Sequence, residues 1–193
     1  MNFEYPEGAT PIDPDEAQGL LLSHISRRSD LDRWEHENIL DALKWLERRR
    51  APDILNESFI RELHKRMFGT VWRWAGTYRR SDKNIGKSWM QIPVAVKNLC
   101  EDTKLWIESK DESADDIGIR FHHRLVCIHP FVNGNGRHAR LMTDLLLDSM
   151  KEPRFTWGGD NLSDTGETRR RYIEALREAD KGKFGPLREF VRS

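Results

Sequence analysis

An interruption constrains this chain more than any other feature. An apolar stripe at helical spacing, Ile117, Phe121, Leu125 and Ile128, runs up to His129-Pro130. The residue before a proline is pushed out of the helical region, so the helix must stop there. A second stripe, Met142, Leu145, Leu146 and Met150, follows Gly136. Two core-facing helices are therefore joined by His129-Pro-Phe-Val-Asn-Gly-Asn-Gly-Arg-His-Ala-Arg140. Gly134 and Gly136 permit positive φ and close backbone approach, so successive N–H groups can face one concavity. That concavity is also a helix start, whose unpaired N–H groups and positive dipole end favour an anion. Arg137 and Arg140, three apart, can add guanidinium forks, and Asn135 supplies an amide. His129 ends the preceding helix with its imidazole able to face the same hollow. A base beside a polyphosphate cradle suggests group transfer from a nucleotide to a hydroxyl.

A plainer architecture competes with that reading: two glycines making a left-handed helix connection, Arg140 paired with Asp144, and His129 as a capping histidine. It would have to account for His-Pro, both glycines, Asn135 and both arginines within twelve residues, so the functional reading is preferred. The loop is not a Walker loop, since no Gly-Lys-Ser/Thr follows, and no strand precedes it as a dinucleotide fold requires.

The rest of the chain punctuates itself. Asp13-Pro14-Asp15-Glu16 starts a helix expected to reach Ser26, after an irregular N-terminus. A second helix, about 31–50, carries Ile39, Leu43 and Leu46 and ends at Arg48-Arg49-Arg50 before Pro52. Asn56 caps a third with Phe59, Leu63 and Met67. From Trp72 to Pro93 the helical period vanishes, and short extended pieces around Asn84-Ile85-Gly86 predict a small hairpin. Helices resume over 94–109, with Val96, Leu99 and Trp106 facing the core, then from Ser113, then over about 165–180 and 185–192. The fold class is all-α with one small β element.

Composition bounds the function. In 193 residues, 32 basic side chains balance 32 acidic ones. No global field steers the chain onto a membrane or nucleic acid, and direct nucleic-acid binding through Arg169-Arg170-Arg171 is disfavoured. No apolar run is long enough to span a membrane, and the acidic N-terminus is unlike a signal peptide, so a cytoplasmic location is expected. Cys100 and Cys127 read as buried free thiols. His122, His123, His129 and His138 fall on different helical faces with no Cys or carboxylate joining at ligand spacing, which argues against a metal cluster. Trp72 and Trp74 read as packing beneath the hairpin.

The 129–140 segment resembles the signature of the Fic family, His-Pro-Phe-x-Asp/Glu-Gly-Asn-Gly-Arg-x-x-Arg, at every fixed position but one. Gly8-Ala-Thr-Pro, Asn84-Ile85-Gly86 and Arg120-Phe-His-His-Arg-Leu-Val126 resemble its mobile mystery protein B branch. The resemblance implies a Fic-type helical bundle over 55–193 behind an N-terminal helical extension, 1–54. It implies a protein adenylyltransferase (a nucleotidyltransferase) carrying out AMPylation: ATP is co-substrate and AMP moves to a Ser, Thr or Tyr hydroxyl of a target protein. His129 would be the catalytic base. Gly134, Asn135 and Gly136 would hold the α-phosphate, and Arg137 and Arg140 the outer phosphates. Phe131 would anchor the loop, and Asn84, Ile85 and Gly86 would belong to a flap that docks the target. The branch's name hints at a regulatory DNA-binding partner encoded alongside.

One position departs from the signature. Asn133 stands where the family carries the carboxylate that holds Mg²⁺, and a neutral amide is a weaker ligand for that ion. A weakened nucleotide-binding or interaction module, or a transferase with another donor, are the alternatives, and removal of AMP is a further possible task. Glu37-Asn38 on the second helix matches the end of the family's inhibitory motif, although Arg33 replaces its Ser/Thr. The resemblance implies that Glu37 pairs with Arg140 as a brake, so the chain would be autoinhibited.

Overall fold

The computed structural model describes residues 13–22, 25, 27–49, 52–159 and 166–193. The readings made for residues 1–12, including Gly8-Ala-Thr-Pro, and for Arg50 lie outside these. The helices are α1 (Pro14–Ala17), α2 (Arg28–Glu47), α3 (Glu57–Phe68), α4 (Ile92–Ser109), α5 (Ala114–Ile128), α6 (Asn135–Ser149), α7 (Glu167–Asp180) and α8 (Gly185–Val191). No β-strand occurs among the described residues, and one isolated bridge joins Leu20 to Trp72. The chain is all-α, as expected.

Local chemistry accounts for the helix limits. Asn56 caps α3 by accepting from the Phe59 N–H, and Ser113 caps α5 by accepting from the Asp116 N–H. Pro93 fits the first turn of α4, where a missing N–H costs nothing, so that helix begins at Ile92 rather than 94. The first helix falls short of the expected Ser26. It ends at Ala17 because the backbone beyond is engaged elsewhere: Leu21 N donates to Val71 O at 2.9 Å, and Gly19 O accepts from Arg73 N at 2.8 Å.

The hairpin expected around Asn84-Ile85-Gly86 does not form. Residues 77–88 run as bends, and Trp89–Gln91 make a 3₁₀ turn leading into α4. The groups that would have paired two strands are used by their surroundings. Arg79 N donates to Pro130 O (3.0 Å) and Lys87 N to Ile128 O (3.3 Å), while Trp89 N donates to the Asp82 carboxylate (2.7 Å). The segment is a loop stitched to the end of α5 instead of to itself.

At the centre, α5 packs against α4 and α6, and α2 packs on α3. Ile117, Phe121, Leu125 and Ile128 of α5 are all buried, as are Met142 and Leu146 of α6. A second apolar cluster holds the α7–α8 pair through Ile119, Leu147, Phe155, Trp157, Tyr172 and Phe190. Burial of this kind contributes roughly 1.5–3 kcal/mol per large side chain, so the α5–α6 junction rests on a rigid base. No described helix is long and apolar enough to cross a membrane.

Candidate functional site

The bend between α5 and α6 begins at His129, which caps α5 in the left-handed region (φ 53°) and is buried. The Val126 backbone lies beside its ring. Burial and the neighbouring Arg79 cation push its pKa down to about 4. The imidazole is therefore neutral around pH 7 and can accept a proton. Arg79, fully buried, explains much of the local shape. Its Nε donates to the His129 carbonyl (2.7 Å) and Nη1 to Ser81 O (2.7 Å), while Nη2 reaches Lys87 O and, at 3.5 Å, Ile128 O. One guanidinium thus ties the 79–87 loop to the end of α5. Gly86 (φ 102°) rests directly on His129, where a Cβ would come within 2.6 Å of the histidine Cβ. Asn84 and Ile85, beside it, are exposed.

Behind the bend everything is neutral and closed. Phe131 is buried, stacked on His64 at 3.7 Å and edge-on to His138 at 5.2 Å. His64 Nδ1 accepts from Gly76 N, which leaves Nε2 to donate to Asn133 O; both are 3.0 Å. His138 Nε2 donates to Ile60 O at 2.9 Å. Burial lowers the pKa of both rings, to about 3 for His138. The Asn135 side chain lies inside the loop but is spent on it: Oδ1 accepts from Phe131 N and Nδ2 donates to Phe131 O, both at 2.9 Å. Its amide braces the turn, whereas the resemblance implies a phosphate contact for this residue. What Asn135 can still offer is its backbone N–H in the first turn of α6, beside those of Gly136 and Arg137.

Gly134 is the N-cap of α6 at φ 77°, and a Cβ there would strike the Phe68 ring at 2.6 Å. That pair of constraints leaves room for glycine alone. The Asn133 amide oxygen accepts from Gly134 N at 2.6 Å. It is neutral and already engaged, and no group of three or more His, Cys, Asp or Glu converges at this loop among the described residues. The residues present do not fit a protein-held Mg²⁺.

The two arginines diverge. Arg137 Nη1 meets Glu35 Oε2 at 2.6 Å, with its guanidinium over the Phe68 ring. Glu35 is buried on α2, and its other oxygen accepts from Trp72 Nε1 at 2.6 Å. The expected pairing of Glu37 with Arg140 is not found: Glu37 faces solvent. Two positions along a helix rotate a side chain by about 200°, so when Glu35 faces the core Glu37 cannot. Arg140 turns to α7, where it hydrogen-bonds to the Tyr172 hydroxyl and lies 5.7 Å from that ring. Its Nη1 sits beside Gly136. Burial works against its charge, and among the described residues no carboxylate pairs with it. Asp144, its partner in the plainer architecture, accepts instead from Trp157 Nε1 at 3.0 Å. A desolvated, uncompensated cation at a helix N-terminus attracts an anion.

Several contributors left little trace in the sequence. Glu35, His64 and Arg79 are isolated residues whose partners lie far along the chain, so no local period marks them. Lys83 is nearly buried and paired with Asp13 (2.6 Å) and Glu16, which holds α1 against the loop over His129. Trp72 and Trp74 do pack, stacked at 4.9 Å, although under α1 and the bridge rather than a hairpin. Cys100 is buried as expected, whereas Cys127 is only half-buried.

Residues 54–147 match the model of the Fic/DOC family. A protein adenylyltransferase, fic-1 of Caenorhabditis briggsae, is 32% identical over 137 residues, which is 69% of this chain and 25% of that protein. The chain spans about a quarter of the length of the curated relatives it matches. Among solved structures, the N-terminal Fic domain of a Bep effector from Bartonella quintana with bound ADP superposes with a TM-score of 0.72 at 17% identity, over 92% of this chain and 94% of that one. BepC from Bartonella tribocorum with bound AMPPNP gives 0.70 at 16%, over 93% and 97%. The shared architecture and the matched signature agree: this chain belongs to the Fic/DOC family.

Proposed function

We propose that the chain is an adenylyltransferase that moves AMP from ATP to a Ser, Thr or Tyr hydroxyl of a target protein. The observation that carries this reading is Arg140, a desolvated cation with no carboxylate partner among the described residues, on the same bend as the neutral imidazole of His129. The names of the curated relatives, and the nucleotides bound in two structural neighbours, point the same way. The α6 N-terminus and Arg140 hold the phosphates. His129 takes the proton from the target hydroxyl, the oxygen attacks the α-phosphorus, and pyrophosphate leaves. The incoming negative charge raises the pKa of His129 from its depressed value and makes it a better base. Asn84, Ile85 and Gly86 form the edge on which the target segment lies. No step depends on a protein-held metal, since Asn133 does not fit one.

Autoinhibition, in this reading, works through Glu35 instead of Glu37. Phosphates that recruit Arg137 must take it from Glu35 and leave a buried carboxylate short of one partner, which is costly. ATP and Glu35 therefore compete for one guanidinium. Intact-mass analysis after incubation with ATP and Mg²⁺, of the chain and candidate targets, tests the proposal. The expected result is an added AMP that grows in Glu35→Gln and vanishes in His129→Ala. ATP binding with no adduct in any variant would overturn it in favour of a second reading, a nucleotide-binding module without transfer, which the engaged amide of Asn133 favours.

A further inference from the structure

On the side of α5 away from Phe131, three side chains of different chemistry converge. His123 and Cys127 are one turn apart and share a helical face, and Asp180, the last residue of α7, closes over them. His123 Nε2 lies 2.8 Å from Asp180 Oδ1, and Cys127 Sγ lies 3.3 Å from each of those atoms. Phe184 stands edge-on to the imidazole at 5.4 Å and limits its rotation. We propose that His123, Cys127 and Asp180 bind a transition-metal ion of the zinc class.

Geometry separates this from a nucleophile–base–acid relay. In a relay the carboxylate and the nucleophile use different ring nitrogens; here thiol and carboxylate both meet Nε2. Convergence on one point is what a cation requires. Bonds of about 2.0–2.3 Å at tetrahedral angles separate ligand atoms by about 3.3–3.7 Å, so two edges of the triangle are already near that size and the His–Asp edge needs only to open. Sulfur, imidazole nitrogen and carboxylate oxygen together suit zinc and its neighbours better than magnesium or calcium. Asp180 is exposed, which leaves a fourth position on the solvent side for water or a partner's ligand. On binding, the metal–sulfur bond replaces the S–H bond, and the thiol proton passes to solvent.

The site is independent of the proposed transfer reaction. Its consequence is mechanical: Cys127 is two residues from His129, so a bound ion clamps the end of α7 to the end of α5. The test uses the untagged full chain, dialysed against chelator and titrated with Co²⁺ alone, then Zn²⁺. The expected result is one Co²⁺ per chain with a thiolate-to-cobalt charge-transfer band, displaced by Zn²⁺, and a raised Tm with Zn²⁺. Cys127→Ser removes the band, Asp180→Asn weakens binding by at least an order of magnitude, and Cys100→Ser changes neither. Absence of the thiolate band at stoichiometric Co²⁺ in the folded wild type overturns the proposal, as does unchanged affinity in Cys127→Ser and Asp180→Asn.

Discussion

The inner and outer sides of the 129–140 bend are held by different chemistry. Inside, the contacts are neutral: Phe131 against His64 and His138, Asn135 on the Phe131 backbone, His64 on Asn133 O. Outside they involve charged groups: Glu35 on Arg137, Lys83 on Asp13 and Glu16, and the Arg79 cation on four carbonyls. Neutral hydrogen bonds and packed rings have few competitors once water is gone, so they set a fixed shape. An ion pair can be exchanged for another charge, so it suits the side where an anion must enter.

Acid should act on the buried neutral rings first and by most. His138 on the inner side, and His122 packed on Tyr172 and Trp157 of the second apolar cluster, both have pKa values lowered by burial to about 3, against 6.5 unfolded. As pH falls below 6.5 the unfolded chain takes up protons that the folded chain refuses, so stability present above that pH is lost on the way down. Each ring costs about 1.4 kcal/mol per pH unit, or about 5 kcal/mol for the pair by pH 4.5. Urea midpoints measured from pH 7.5 to 4.5 check this, with a shallower slope expected in His138→Gln. A flat profile would mean that the rings are not held neutral.

Phe131→Ala removes the inner anchor and should cost about 3–5 kcal/mol, read from chemical denaturation. Gly86→Ala acts at the boundary between the two sides. Its φ of 102° and the 2.6 Å approach to His129 predict a loss of about 1–3 kcal/mol together with a shifted His129 imidazole resonance. If the resonance holds still, the loop does not set the position of that ring. Glu35→Gln should have the smallest effect on folding, about 1 kcal/mol, yet raise affinity for ATP several-fold by calorimetry. An unchanged Kd would remove Glu35 from any part in controlling the nucleotide.

How much of this was legible beforehand depended on range. The α5 and α6 stripes, the Asn56 and Ser113 caps and the bend itself are local patterns, and the structure follows them. The 76–92 segment reads as strands from sequence, yet extended-looking residues form strands only when they pair with each other, and these bond to Pro130 and Ile128 instead. Glu37 was singled out by its place in a motif, whereas the rotation of α2 decides which acid faces inward. His123 and Cys127 stand four residues apart on one helix, but Asp180 is 53 residues from Cys127, so only the fold brings that carboxylate to them.

Trp72 gives the molecule an optical gauge. Its indole N–H leans on the same carboxylate that grips Arg137, and an indole's emission colour depends on the charges beside it. Any nucleotide that draws Arg137 away changes that local field, so the fluorescence difference between wild type and Trp72→Phe would follow release of the arginine in real time, with no label attached.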